Sequence, residues 1–435
     1  MKYKIYCKRP KEDWAIAPEV YAYDNQTNEI WAPTGKLIDF AGDERFSGIP
    51  KPKRIAIAPV MFPERPVMGK SRQLRTLKIQ LGMKCNYHCS YCLQAAFRDQ
   101  GQQARPEDAD GFIRRLTATG VEMKKNGRIE LWGGEPLVYI KVLRRLIPLL
   151  REKFGTGPVL SMVTNGTLLT HELVDFFYEH RVQIIISHDG TGFSLRNDRD
   201  PLMDPLLKAV WLYAYEKYKD TDIPLMFNTV LSEKNCDLFA LRDFFRTNFA
   251  PEVHLNFEGV LGNLGANEGN TFSDEARRTL DVSVWKALIQ EPGEWDTLEG
   301  SAFELMRQLV HRIPAGTMAC RCNMANPDSL VTDLKGAIGG CQNRPVDIFN
   351  IGRLESLDTV KNDLMTHWQH RPCRDCLVLS ACKAGCPMLT DEELHASCRN
   401  EFALHSAVFG AGVVPADGAN PASGGDGQDA VEARR

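Results

Sequence analysis

Three cysteines, Cys85, Cys89 and Cys92, stand inside the eight residues "CNYHCSYC". Three thiolates on one loop can hold three corners of a metal centre and leave one metal position open. An iron–sulfur cluster and a zinc ion both suit so short a spacing, but structural zinc takes four protein ligands, and only His88 lies near enough in the chain to add one. A second group follows far downstream. Cys373, Cys376, Cys382 and Cys386 are spaced C-x2-C-x5-C-x3-C, and Cys386 precedes Pro387, similar to a ferredoxin ending whose last cysteine serves a different cluster. With Cys320, Cys322, Cys341 and Cys398, this region has thiols for two four-thiolate clusters. Of the thirteen cysteines only Cys7 and Cys236 are left over, and these read as ordinary buried thiols. Three complete clusters would need one ligand more than the two groups supply, so a substrate or cofactor has to complete the first.

These thiols need elements to position them. From Leu74 onward, short apolar or β-branched runs ("LKIQLG", "RIELWGG", "VLSMVTNG", "VQIIISHDG", "PLMFNTVL", "VHLNFEGV") alternate with amphipathic stretches such as "LVYIKVLRRLIPLLREKF" and "HELVDFFYEH". The first pattern predicts strands and the second helices. Six βα-type units in a row predict a parallel sheet, open or curled into a partial barrel, with ligands at the C-terminal ends of its strands. The first cysteine triplet follows directly on the first run. In the last run, alternation turns Val253, Leu255 and Phe257 towards helices and His254, Asn256 and Glu258 inward.

The flanks differ in pattern. Residues 1–71 hold short strand-like pieces ("YKIYC", "EVYAYD", "EIWAP") and a proline-rich stretch over 49–66, a small β-rich extension. It reads as a structural cap, or as an edge that an extended peptide could pair with. Residues 271–319 predict a helical linker, 320–409 a cysteine-dense domain, and 410–435, poor in apolar residues, a disordered tail.

The formal net charge of -3 gives no electrostatic footprint for nucleic acid or an anionic membrane. The N-terminus lacks the apolar core of a signal peptide, and no run is long enough to span a bilayer. A cytoplasmic location follows as the expectation. Its reducing conditions disfavour disulfides and point the thiols towards metal or catalysis.

The sequence resembles the radical S-adenosylmethionine (SAM) superfamily, whose CxxxCxxC signature stands here as "CNYHCSYC", with Tyr91 before the last cysteine. The resemblance runs through "GGEP" (Gly133 to Pro136), "TNGTLL" (Thr164 to Leu169) and "SHDG" (Ser187 to Gly190), each at the end of a predicted strand. It continues into a SPASM domain on Cys322, Gly336, Cys341, the C-x2-C-x5-C-x3-C run and Cys398. The implied fold is α/β: a partial (β/α)6 TIM barrel over 72–270, with the β-rich extension before it and an iron–sulfur SPASM domain over 320–409. The implied cofactors are SAM and three 4Fe-4S clusters. Cys85, Cys89 and Cys92 would hold the SAM-binding cluster. Cys320, Cys322, Cys341 and Cys386 would hold the inner auxiliary cluster, and Cys373, Cys376, Cys382 and Cys398 the outer one. The adjacent pair Cys320 and Cys322 departs from the family pattern, so either could be spare.

The same resemblance assigns SAM contacts to Tyr91, to the GGEP residues Gly133, Gly134, Glu135 and Pro136, to Thr164 or Asn165, and to Ser187 and Asp189. Arg196, rather than Arg199, would pair with the SAM carboxylate, since a guanidinium offers a forked donor. Taken singly, GGEP, TNG and SHDG are also ordinary turn chemistry. The implied activity is reductive cleavage of SAM to a 5'-deoxyadenosyl radical, fed by a low-potential donor such as flavodoxin or ferredoxin. The radical would abstract hydrogen from a residue of a ribosomally made precursor peptide, giving a crosslink or other modification. Glu258, His254 and Asp189 are candidates to take a proton afterwards. A sulfatase-maturing-type protein oxidase is the alternative within the family, but its Asp base after the cysteine equivalent to Cys341 is replaced here by Gln342, which takes no proton. A radical enzyme acting on a small molecule, and a non-catalytic electron-transfer protein, complete the set of readings.

Overall fold

In the computed structural model, residues 2–7, 19–38, 69–258, 272–291, 295–313, 322–361 and 371–413 are described. The proline-rich stretch over 49–66, Cys320 and the tail from 414 onward lie outside them.

All six runs of the central pattern are strands: β4 (Gln73–Gln80), β5 (Glu122–Trp132), β6 (Val159–Thr164), β7 (Val182–Ser187), β8 (Met226–Val230) and β9 (His254–Glu258). They pair in parallel, in chain order. Helices α1 (Asp108–Ala118), α2 (Ile140–Phe154), α3 (His171–Glu179), α4 (Pro205–Tyr218) and α5 (Leu238–Asn248) provide the crossovers. Their starts are written in the sequence. Thr170 caps α3 through Leu173 N, while Asp204 and Asp237 cap α4 and α5 by accepting two amides each; Pro205 opens α4, where its missing N–H costs nothing. The apolar side of each strand packs on these helices, with Leu77, Ile79, Ile129, Leu131 and Phe227 buried.

Two features depart from expectation. β5 begins at Glu122, upstream of the predicted run, because Glu122 and Met123 extend the ladder against Gln73 and Leu74 across a bulge. The C-terminal region is also not a separate layer. β10 (Ser329–Asp333) pairs in parallel with β4, from Ser329↔Thr76 to Asp333↔Gln80, and β11 (Ala337–Gly339) and β12 (Asn350–Arg353) continue outward antiparallel. One nine-stranded sheet results, ordered β12-β11-β10-β4-β5-β6-β7-β8-β9. Burying the open edge of β4 satisfies its backbone groups and holds the segment between Cys322 and Cys341 against the barrel.

The N-terminal strands β1 (Lys2–Cys7), β2 (Glu19–Asp24) and β3 (Glu29–Trp31) form their own antiparallel sheet. It sits on the cysteine-dense region. Asn25 Nδ2 donates to Cys376 O at 3.3 Å, Asn28 Nδ2 to Ile313 O at 2.8 Å, and the Tyr23 ring lies edge-on to Phe409 at 4.7 Å. Helices α6 (Asp274–Gln290), α7 (Asp296–Val310), α8 (Leu379–Cys382) and α9 (Asp391–Val413) complete this end. α9 runs past the boundary expected at 410, because the helix continues through Gly410, packed against Trp285. Among the described residues no helix is long and apolar enough to cross a membrane.

Candidate active site

The loop after β4 is fastened to the loop after β5 by backbone hydrogen bonds. Gly134 N donates to Gly82 O at 2.9 Å and Glu135 N to Lys84 O at 2.8 Å, while Lys84 N donates to Tyr139 Oη at 2.9 Å. This approach requires glycine: a Cβ on Gly134 would lie 2.3 Å from Lys84 O and 2.6 Å from Met83 O. Cys85, Cys89 and Cys92 then line one cavity of about 550 Å³ at the C-terminal ends of the strands. His88 is exposed and outside its lining. Burial pushes the Cys85 thiol up to about 12 and the Cys89 thiol up to about 11, with Arg196 pulling Cys89 the other way. Thiols so placed ionise when a cation meets them. Three unbridged thiols on one wall, with no fourth thiol and no imidazole lining the cavity among the described residues, fit a cluster with one iron left for another ligand.

Several expected SAM contacts are already engaged with one another. Glu135, 2 % exposed, accepts from Leu137 N at 2.9 Å, Thr164 Oγ1 at 2.6 Å and Asn165 N at 2.7 Å, which ties the end of β5 to the end of β6. A carboxylate has about four acceptor directions, so Glu135 keeps one for a ligand. Burial pushes its pKa up, against those three hydrogen bonds. Thr164 Oγ1 also accepts from Gly166 N, and Asn165 bonds Asn86 and Thr167, so both act mainly as braces. Pro136 is buried at the start of a short 3-10 turn and does not reach the cavity, a correction to its expected role as a SAM contact. Gly133, Gly134, Tyr91, Ser187 and Arg196 do line it.

Asp189 needs a larger correction. It is fully buried, lies outside the cavity lining, and has its carboxylate surrounded by donors. Tyr91 Oη donates to Oδ2, Arg196 Nη2 to Oδ1 at 3.0 Å and Val230 N to Oδ1 at 2.9 Å; Arg196 Nε lies 2.8 Å from Oδ2 as an ion pair without hydrogen-bond alignment. Its carboxylate thus faces Tyr91, Arg196 and Val230 rather than the cavity. It aims Tyr91 and Arg196 into the cavity.

Below the thiols the cavity continues into the barrel. Glu258 and Asn256 line it, whereas His254, on the same face of β9, is exposed and outside it. Sequence reasoning missed Lys78 and Glu130, a partly buried ion pair at 2.5 Å, with the Lys78 ammonium 4.5 Å from the centre of the Trp132 ring. The signal was available: the alternation applied to β9 also turns Lys78, Glu130 and Trp132 inward from β4 and β5. Gln342, directly after Cys341, lines the same cavity.

The seven described cysteines of the C-terminal region form two groups. Cys373, Cys376, Cys382 and Cys398 surround a small cavity of about 90 Å³ walled by Val378, Leu379 and Leu394. Burial and the neighbouring thiols Cys398 and Cys376 push Cys373 up to about 11. Cys386 turns away because Lys383 and Ala384 adopt left-handed backbone (φ 56 and 64), and Arg371 pins the turn through the Cys386 and Leu389 carbonyls at 2.8 and 2.7 Å. Cys322, Cys341 and Cys386 are close enough to act on each other's charge.

Residues 79–236 match the family model of the radical SAM superfamily. The chain carries a radical SAM superfamily domain. It is 26% identical over 226 residues to the radical SAM cyclopropyl synthase TigE of Paramaledivibacter caminithermalis, a match covering 48% of this chain and 46% of that protein. It is 27% identical over 170 residues to a GTP 3',8-cyclase of Clostridium perfringens, covering 37% of this chain and 48% of that protein. The chain thus spans about half the length of these curated relatives. Among solved structures, native anSMEcpe with bound AdoMet and Cp18Cys peptide shares the fold, with a TM-score of 0.55 and 17% identity over 76% of this chain and 96% of that one.

Proposed function

We propose that this protein is a radical SAM peptide maturase, in which Cys85, Cys89 and Cys92 hold the SAM-binding 4Fe-4S cluster and the two C-terminal thiol groups hold auxiliary clusters. The observation that carries the reading is the single cavity that joins three thiols of one loop to a polar barrel interior. When bound, the cluster and SAM supply one-electron cleavage of a sulfonium bond and a carbon-centred radical. The chain's own residues do the rest. The Gly133–Gly134 backbone and the last acceptor direction of Glu135 would hold the SAM amino group, and Ser187 and Arg196 its ribose and carboxylate; all five line the cavity. Glu258, exposed at the end of β9 and lining the same cavity, would take a proton from an oxidised substrate residue. A precursor peptide as substrate is supported by the fold shared with anSMEcpe, whose structure holds a bound Cp18Cys peptide. Gln342 on the cavity wall, where the sulfatase-maturing type carries Asp, weighs against a protein oxidase. Electrons would come from a low-potential donor such as flavodoxin or ferredoxin.

Anaerobic reconstitution should yield about twelve irons per chain for three 4Fe-4S clusters, and deoxyadenosine on adding SAM and reductant. Absence of deoxyadenosine would sink the enzyme reading, and fewer than about eight irons the three-cluster reading. Co-expression with short peptides encoded beside this chain, followed by mass spectrometry, tests the substrate: loss of two hydrogens marks a crosslink, and deuterium uptake from deuterated water an epimer. If no such peptide changes while deoxyadenosine still forms, a small-molecule substrate replaces the peptide.

Gly134→Ala gives a local test. Its Cβ meets two backbone oxygens of the thiol loop, so the loop must shift, and a displacement of about 1 Å at reacting centres costs on the order of 100-fold in rate. Deoxyadenosine formation should fall by about that factor, while the irons of the two C-terminal groups remain.

A further inference from the structure

The outer thiol cavity has more ligating groups around it than four thiolates. On α9, Cys398, Glu401 and His405 stand at i, i+3 and i+7 and so share a helix face. Glu401 and His405 are 5 % and 8 % exposed, and Glu401 lines the cavity together with Cys382. The ligating atoms of Cys382, Glu401 and His405 all lie within 4.8 Å of one another, the one such mixed group among the described residues. His405 Nε2 is 2.9 Å from Glu401 Oε2. An ionised carboxylate only accepts, so Nε2 donates to it, and the neutral ring then carries its lone pair on Nδ1. That Nδ1 is buried with no hydrogen-bond partner among the described residues. A histidine held by a carboxylate at one nitrogen, with the other left unprotonated, is the arrangement found in metal-ligating histidines. Glu401 is buried beside Leu379 and Leu394, where its contact with His405 offsets part of the cost of burying a carboxylate.

We propose that Glu401 and His405 are a reserve ligand pair for the iron at the Cys382 corner of the outer cluster, so that this corner can exchange its thiolate for a carboxylate or imidazole. The inference rests on the reading that Cys373, Cys376, Cys382 and Cys398 hold a 4Fe-4S cluster. In the exchange the bond from iron to Cys382 Sγ breaks, and one from iron to Glu401 Oε or His405 Nδ1 forms. The departing thiolate takes a proton from water, and no electron moves. The Cys373, Cys376 and Cys398 corners have no comparable pair among the described residues.

Iron and sulfide counts with Mössbauer spectra on the full reconstituted chain test this. Cys376→Ala should lose about four irons. Cys382→Ala should keep the full count with one iron site changed in its Mössbauer parameters, and Cys382→Ala combined with Glu401→Ala and His405→Ala should lose about four. Glu401→Ala with His405→Ala on intact Cys382 should keep every iron, which separates ligation from folding. The proposal is overturned if Cys382→Ala loses as much iron as Cys376→Ala, if the triple variant keeps its irons, or if the double variant loses them. A wild-type chain with fewer than about eight irons would instead sink the three-cluster reading on which the inference rests, a failure visible before any variant is made.

Discussion

Replacing Cys85, Cys89 and Cys92 together by alanine is expected to abolish deoxyadenosine formation while leaving about eight irons bound. The expected separation follows from where the thiols are. The triplet lines the barrel cavity, whereas Cys373, Cys376, Cys382 and Cys398 surround a cavity of their own under the N-terminal sheet. The triplet's loop is held by backbone bonds from Gly134 and Glu135 and by the Tyr139 hydroxyl, none of which needs a cysteine side chain. Truncating three partly exposed thiols at a cavity wall therefore leaves the barrel standing. Iron and sulfide counts with chromatography of the SAM products decide the matter: a variant that still makes deoxyadenosine would show that the radical arises elsewhere.

Asp189→Ala should have the largest effect of any single substitution away from the thiols. Arg196 and Asp189 are 8 % and 1 % exposed as side chains, and removing one partner of a buried ion pair costs about 3–5 kcal/mol because the other charge is left uncompensated. Tyr91 would lose the acceptor for its buried hydroxyl at the same time. Urea denaturation of the reconstituted protein should show that loss of stability, and SAM affinity should fall at least about tenfold, since a misaimed guanidinium no longer meets the carboxylate. If Asp189 were instead a proton acceptor, stability and SAM affinity would stay near wild type and only turnover would fall.

The central pattern was legible because it is local. Strand and helix periods, caps at Thr170, Asp204 and Asp237, and glycines after β5 are set by neighbouring residues, and all six barrel strands formed where their runs stand. Residue type and spacing likewise identified the three-thiol loop and the cavity-lining positions Gly133, Gly134, Ser187, Arg196 and Glu258. The misassignments share a cause. Whether a polar group faces a ligand or another residue depends on partners distant in sequence: Asp189 is taken up by Tyr91, 98 positions away, and Glu135 by the end of β6. The docking of β10 on β4 is likewise a pairing between segments about 250 residues apart, which no local pattern encodes.

What the sequence alone determined, then, is the inventory of thiols, their spacings and the βα rhythm, because these are properties of neighbours along the chain. Only the tertiary structure decided which cysteines share a cavity, that Pro136 and Asp189 stand back from the site, and that Lys78 and Glu130 line it. It also set Glu401 and His405 beside Cys382. Burial and hydrogen-bond saturation are settled by everything that packs around a group, and they turn one carboxylate into a brace and leave another open for chemistry.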